Sequence, residues 1–201
     1  MRNFDEKNVY FLNKSTYVNL RWIGIFGQFI TINLVALIFK FEFNFILANI
    51  IVVLGTLTNI FLQYFYKLSQ LSNKTAFFYL SIDILQLSFL IYLTGGILNP
   101  FSIFLIIPSI FASTNLNIKS NLILIFITII SIVFLTIYHQ DLPSPLNNYK
   151  LSKYYYYSIP IGLLIALVFL NYFAFLFGKE NRIRKEALDK IQQEIAKEHE
   201  L

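Results

Sequence analysis

Residues 100–117 read PFSIFLIIPSIFASTNLN, and whether this stretch crosses a bilayer decides the fold. A membrane-spanning helix needs about 20 largely apolar residues. This run is short for that and carries Pro108 inside it. Five other apolar runs, at about 18–39, 44–66, 76–94, 120–138 and 158–178, are long enough without argument. Charge placement resolves the sixth. If all six runs cross with the N-terminus inside, Lys40, Lys150 and Lys153 lie outside and the other 13 of the 16 Lys and Arg lie inside. If residues 100–117 turn back instead, the split becomes 8 against 8. The excess of Lys and Arg on cytoplasmic segments selects the six-span arrangement. Asn99-Pro100 suits its start, because Asn caps helices well and Pro is tolerated at the first helical position.

Composition agrees. The 201 residues are 57% hydrophobic and 13% charged, about half the charged share of a soluble domain. Mean hydropathy is +0.62. The net charge of +5 follows from the inner-side cations, so nucleic-acid binding is not implied. Cys is absent, which excludes disulfides, thiolate metal sites and a thiol switch within this chain. With 22 Phe and 13 Tyr, no single aromatic residue carries weight by itself. The polar N-terminus holds Asp5 and Glu6 and lacks a small-residue cleavage site, unlike a signal peptide.

The expected fold is therefore all-α: an integral membrane six-helix bundle with a cytoplasmic C-terminal helix extension. Residues 1–17 form a cytoplasmic N-terminal segment, 18–178 the transmembrane domain, and 179–201 a cytoplasmic helix. In that last segment Leu188, Ile191 and Ile195 form a narrow apolar stripe, the start of a dimer coiled coil. The chain then stops at His199-Glu200-Leu201, which reads as a cut edge within a helix. The plain reading of His199 is an exposed helix residue. Tyr154 to Tyr157 read as an interfacial belt. The outer loop at about 139–157 offers one His and one Asp, too few for a metal site.

Ionisable groups inside a membrane are expensive and are functional candidates by default. Asp83 lies roughly 10 Å inside span three, at 1.5 Å per residue. It shares a face with Gln86 and Thr94. In span one Arg21, Gly24, Gln28 and Thr31 share another face. A contact from Asp83 to Arg21 or Gln28 is expected, with Gly24 allowing close helix approach. Such groups serve either to join helices or to contact a proton or ligand.

Between spans three and four stands Gly95-Gly96-Ile97-Leu98-Asn99-Pro100-Phe101. A plain tight turn would look much the same. Two glycines also admit unusual dihedrals and the approach of a flat ring, Asn99 adds an amide, and Phe101 can stack. These features would suit a quinone.

This segment resembles the GGxxNPF redox box of RegB/PrrB-type sensor histidine kinases. The likeness extends through Asp83-Ile84-Leu85-Gln86-Leu87, Tyr92-Leu93-Thr94, Leu20-Arg21-Trp22, Gly27-Gln28 and Ala196-Lys197-Glu198. The resemblance implies the sensor domain of a two-component kinase in the bacterial inner membrane, with both termini cytoplasmic. It implies ubiquinone as the ligand, held at Gly95, Gly96, Asn99, Pro100 and Phe101, and inhibition of the kinase by the oxidised form. It also implies a homodimer and a response-regulator partner. The phosphoacceptor segment, the redox-active Cys and the ATP-binding domain have no counterpart here, so this chain alone is not expected to be an enzyme. Two competing readings are a small transporter or channel and a membrane-bound quinone enzyme. Few intramembrane charges and no evident broken repeats speak against the first. The lack of a His pair within the spans speaks against the second.

Overall fold

The structure is a computed structural model that describes residues 12–143 and 152–199. The expectations for the first eleven residues, for the middle of the outer loop and for the His199-Glu200 side chains lie outside the described residues.

Among the described residues six α-helices follow one another: α1 (Lys14–Leu37), α2 (Phe45–Phe65), α3 (Asn73–Leu93), α4 (Ile107–Asn115), α5 (Ile118–Ile137) and α6 (Lys153–His199). A 3₁₀ turn at Gly96–Leu98 and a 3₁₀ helix at Pro100–Ile106 lead into α4. Five of the helices are long and apolar enough to cross a membrane; Pro100–Asn115 is a shorter apolar stretch. Together with the many large apolar side chains left on the outside of the bundle, this is a membrane protein.

Asparagine starts three of these six α-helices. Asn13, Asn44 and Asn117 accept hydrogen bonds from Thr16 N, Leu47 N and Ser120 N, and Ser72 does the same for Thr75 N. Each satisfies a backbone donor that has no partner within the helix. Asn99 caps the 3₁₀ helix through Phe101 N, with Pro100 in the first position. The start expected for span four is therefore observed.

Residues 100–115 traverse the bundle from end to end, because α3 and α5 run in the same direction. At one end Asn73 Nδ2 donates to Ser120 Oγ (2.7 Å), and Asn117 N donates to Asn73 Oδ1 (2.9 Å). At the other, Gln140 N donates to Tyr92 O (3.0 Å). The chain between them must return the full length. Seven of its residues are 3₁₀, which rises about 2.0 Å per residue against 1.5 Å for an α-helix. That stretches the segment to about 27 Å, close to the roughly 30 Å of a hydrocarbon core.

One feature departs from an all-α reading. Leu12–Asn13 (β1) and Gln70–Leu71 (β2) form a two-residue antiparallel ladder, with Leu12 opposite Leu71. Both leucines are buried. The two segments enter α1 and α3 at the same end, and pairing satisfies backbone groups that neither helix can use.

The main core lies among α3 to α6, around Ile84, Ile91, Leu105, Leu124, Ile132 and Leu167. A smaller core, with Ile25, Ile32, Ala48, Val52 and Leu90, joins α1 and α2 to α3. Helix α6 is unbroken over 47 residues, about 70 Å at 1.5 Å each. Its tail stripe, Leu188, Ile191 and Ile195, is about half exposed. Of the four tyrosines, Tyr154, Tyr155 and Tyr157 are exposed. Tyr156 turns inward and donates to Thr136 O.

Candidate functional site

The charged residues of spans one and three meet. Arg21 Nε donates to Asp83 Oδ1 (2.9 Å), and Tyr17 Oη donates to Asp83 Oδ2 (2.5 Å). Arg21 Nη2 donates to Thr58 Oγ1 (2.8 Å) and Nη1 to Asn59 Oδ1 (3.3 Å). Asn59 Nδ2 in turn donates to Val18 O (3.3 Å). The Arg21 guanidinium also lies 5.7 Å from the Tyr17 ring centre and 5.4 Å from that of Tyr79, within reach of a cation–π attraction. The next residue, Trp22, donates from Nε1 to Gln63 Oε1 (3.0 Å), one turn beyond Asn59 on α2. Of the two contacts expected for Asp83, the one to Arg21 forms. Gln28 pairs instead with Gln86, whose Nε2 donates to Gln28 Oε1 (3.1 Å).

This cluster is one end of a cavity of about 730 Å³ between α1, α3 and the Pro100–Asn115 segment. One end, toward the starts of α1 and α3, holds Tyr17, Arg21 and Asp83, and the opposite end Thr94, Asn99, Pro100, Phe101 and the Leu142-Pro143 loop. Gln28, Thr31 and Gln86 also line it, and Phe104, Ile107, Pro108 and Phe111 form the wall on the fourth segment. Eight residues singled out in the sequence for two different reasons thus border one space: Arg21, Gln28, Asp83, Gln86, Thr94, Asn99, Pro100 and Phe101.

Gly24 and Gly27 explain why the space exists. A Cβ on either would meet nothing within 4 Å, and both residues line the cavity. The expectation that Gly24 permits close helix approach is corrected: it leaves room. Close approach occurs at Gly55, where a Cβ would overlap the Gln86 amide.

Gly95 and Gly96 do not line the cavity. Both have positive φ, +103° and +59°, a region that L side chains rarely adopt. A side chain on Gly95 would strike Leu142, and one on Gly96 would strike His139. The ring packed against Gly96 belongs to the protein itself. His139 Nε2 also hydrogen-bonds Tyr156 Oη (3.2 Å), tying the loop to α6. Asn99 holds the turn: its Nδ2 donates to Thr94 Oγ1 (2.5 Å) and Thr94 O (3.4 Å), and its Oδ1 accepts from Phe101 N (2.9 Å).

A second buried polar cluster links the cavity wall to α6. Asn171 Nδ2 donates to Ser109 Oγ (3.0 Å) and Leu167 O (2.8 Å). Ser113 Oγ lies 2.6 Å from Asn171 Oδ1 and 3.0 Å from Asn121 Oδ1. At the C-terminal end of α4, Arg182 Nη1 donates to Thr114 O (2.9 Å). A Cβ on Gly178 would come within 2.8 Å of the Thr114 backbone. Sequence reasoning passed over Asn59, Asn121 and Asn171. The signal was present, since each is an amide within an apolar run and must find partners there.

The chain is similar to the sensor histidine kinase RegB of Cereibacter sphaeroides, 25% identical over 188 residues. The match covers 92% of this chain and 41% of that relative. No family model and no solved structure matches. The chain is thus RegB-like over nearly its whole length, in the manner of a membrane sensor domain, and spans less than half of its curated relative.

Proposed function

We propose, from this RegB-like membrane bundle, that the chain is the input domain of a two-component histidine kinase that binds ubiquinone in the cavity. It would report the redox state of the quinone pool to an attached kinase. The domain crosses the bacterial inner membrane six times with both termini cytoplasmic. It works as a homodimer, non-catalytic by itself, and a response regulator receives the output of the attached kinase.

The cavity is the observation that carries the reading. Its 730 Å³ lies within the roughly 300–1,000 Å³ of small-molecule sites. Its walls are aliphatic and aromatic, with a few polar groups, as a ring with two carbonyl oxygens and an isoprenoid tail requires. Transmission follows from who touches the cavity. Ile107, Pro108 and Phe111 of α4 form part of its wall, and α4 is held to α6 through Ser109, Ser113 and Asn171. A ligand that fits one placement of α4 better than another shifts the population of both helices.

Gly24→Leu tests this without threatening the fold. The new side chain would grow into empty space, and replacing a helical glycine by leucine favours the helix. The expected result is saturable quenching of Trp22 by a short-chain ubiquinone in nanodiscs for the parent protein. In the variant that binding is lost and thermal stability is unchanged or higher. Equal binding by both proteins would remove the cavity from the reading.

A further inference from the structure

Eight polar side chains border the cavity, and most are already committed. Tyr17, Arg21 and Asp83 satisfy one another, Thr94 donates to Leu90 O, and both Asn99 amide hydrogens point to Thr94. The exceptions lie at mid-depth. Gln28 and Gln86 share a single hydrogen bond. Two amides joined that way leave one NH₂ and one C=O open, in this arrangement on Gln28 and Gln86 respectively. Gln28 Nε2 has no partner among the described residues.

Thr31, three residues on and so on the same face of α1, is the other exception. Thr56, Thr58, Thr94, Thr114, Thr128 and Thr136 each return their hydroxyl to a carbonyl of their own helix. Thr16 and Thr75 bond to cap residues. Thr31 alone among the described threonines has no partner, and it lines the cavity. In an apolar medium an unused donor is costly, so a ligand that supplies an acceptor gains from it.

We infer that Gln28 and Thr31 form the polar contact for the ligand: the open amide NH₂ and the hydroxyl donate to a ring carbonyl oxygen. This rests on the quinone reading and moves the recognition point from the outer turn to α1. Asn99 then shapes the turn rather than the ligand contact.

Thr31→Val removes the hydroxyl at nearly constant volume and breaks no contact, so it is the decisive variant, with Thr31→Ser as its conservative partner. Titration of the nanodisc-embedded protein with oxidised decyl-ubiquinone should give about three- to tenfold weaker binding for T31V, the loss expected for one neutral hydrogen bond. T31S should retain parental affinity. Gln28→Leu should weaken binding at least as much. Parental affinity in T31V and Q28L, with saturable binding intact, would overturn this inference while leaving the quinone reading standing. Equal loss in T31S and T31V would also overturn it, because the hydroxyl would not be what matters. No saturable binding by the parent protein would overturn both.

Discussion

At the scale of single residues, Arg21 and Asp83 are tied to each other and to three further side chains. Arg21 is buried, and its guanidinium donates to Asp83, Thr58 and Asn59. Removing one member of such a pair leaves the other charge without compensation in a medium that cannot hydrate it. Asp83→Ala should therefore cost about 3–5 kcal/mol of stability, read as a large fall in melting temperature in detergent. Adding Arg21→Leu to that variant should restore part of the loss, since no lone charge remains. An unchanged melting temperature in Asp83→Ala would mean that water reaches the pair. The partnership was half legible beforehand. A 3.6-residue period tells which residues share a face, and so grouped Asp83 with Gln86 and Arg21 with Gln28. It says nothing about which helix lies opposite or at what depth, so Thr58, Asn59 and Tyr17 entered only with the packing.

At the scale of elements, the Pro100–Asn115 segment matters most. It forms part of the cavity wall, and its far end rests on α6 where that helix leaves the bundle. Gly178 lets the two backbones meet there, with Arg182 capping Thr114 O one turn later. Gly178→Ala should push α4 and α6 apart and destabilise the bundle by about 1–3 kcal/mol, the usual range for overpacking, despite the better helix propensity of alanine. A melting curve equal to the parent's would show that the contact yields freely. Asn99-Pro100 was readable as a helix start because capping is local chemistry. The 3₁₀ winding was not, because it reflects the span that sixteen residues must cover between fixed neighbours.

At the scale of the whole molecule, the same-direction packing of α3 and α5 carries the intervening segment from one end of the bundle to the other. The absence of cysteine gives a clean background for a topology test. Lys119→Cys, beside the inner end of α5, should resist a membrane-impermeant maleimide in intact cells and react once the membrane is opened. Asp141→Cys, in the outer loop, should react in both conditions. The reverse pattern, with Lys119→Cys labelled in intact cells and Asp141→Cys protected, would return residues 100–117 to a turn within the membrane.

By itself the sequence determined the membrane class, the helix start at Asn99-Pro100 and the polar faces of spans one and three. These follow from hydropathy, capping and periodicity, which act over a few residues. Only the tertiary structure decided that Gly24 and Gly27 open a chamber while Gly55 and Gly178 close contacts. It also decided that His139 fills the space beside Gly96, and that Thr31 is left without a partner. A glycine or a threonine carries the same local chemistry in every case, and its role depends on what the rest of the chain brings opposite it.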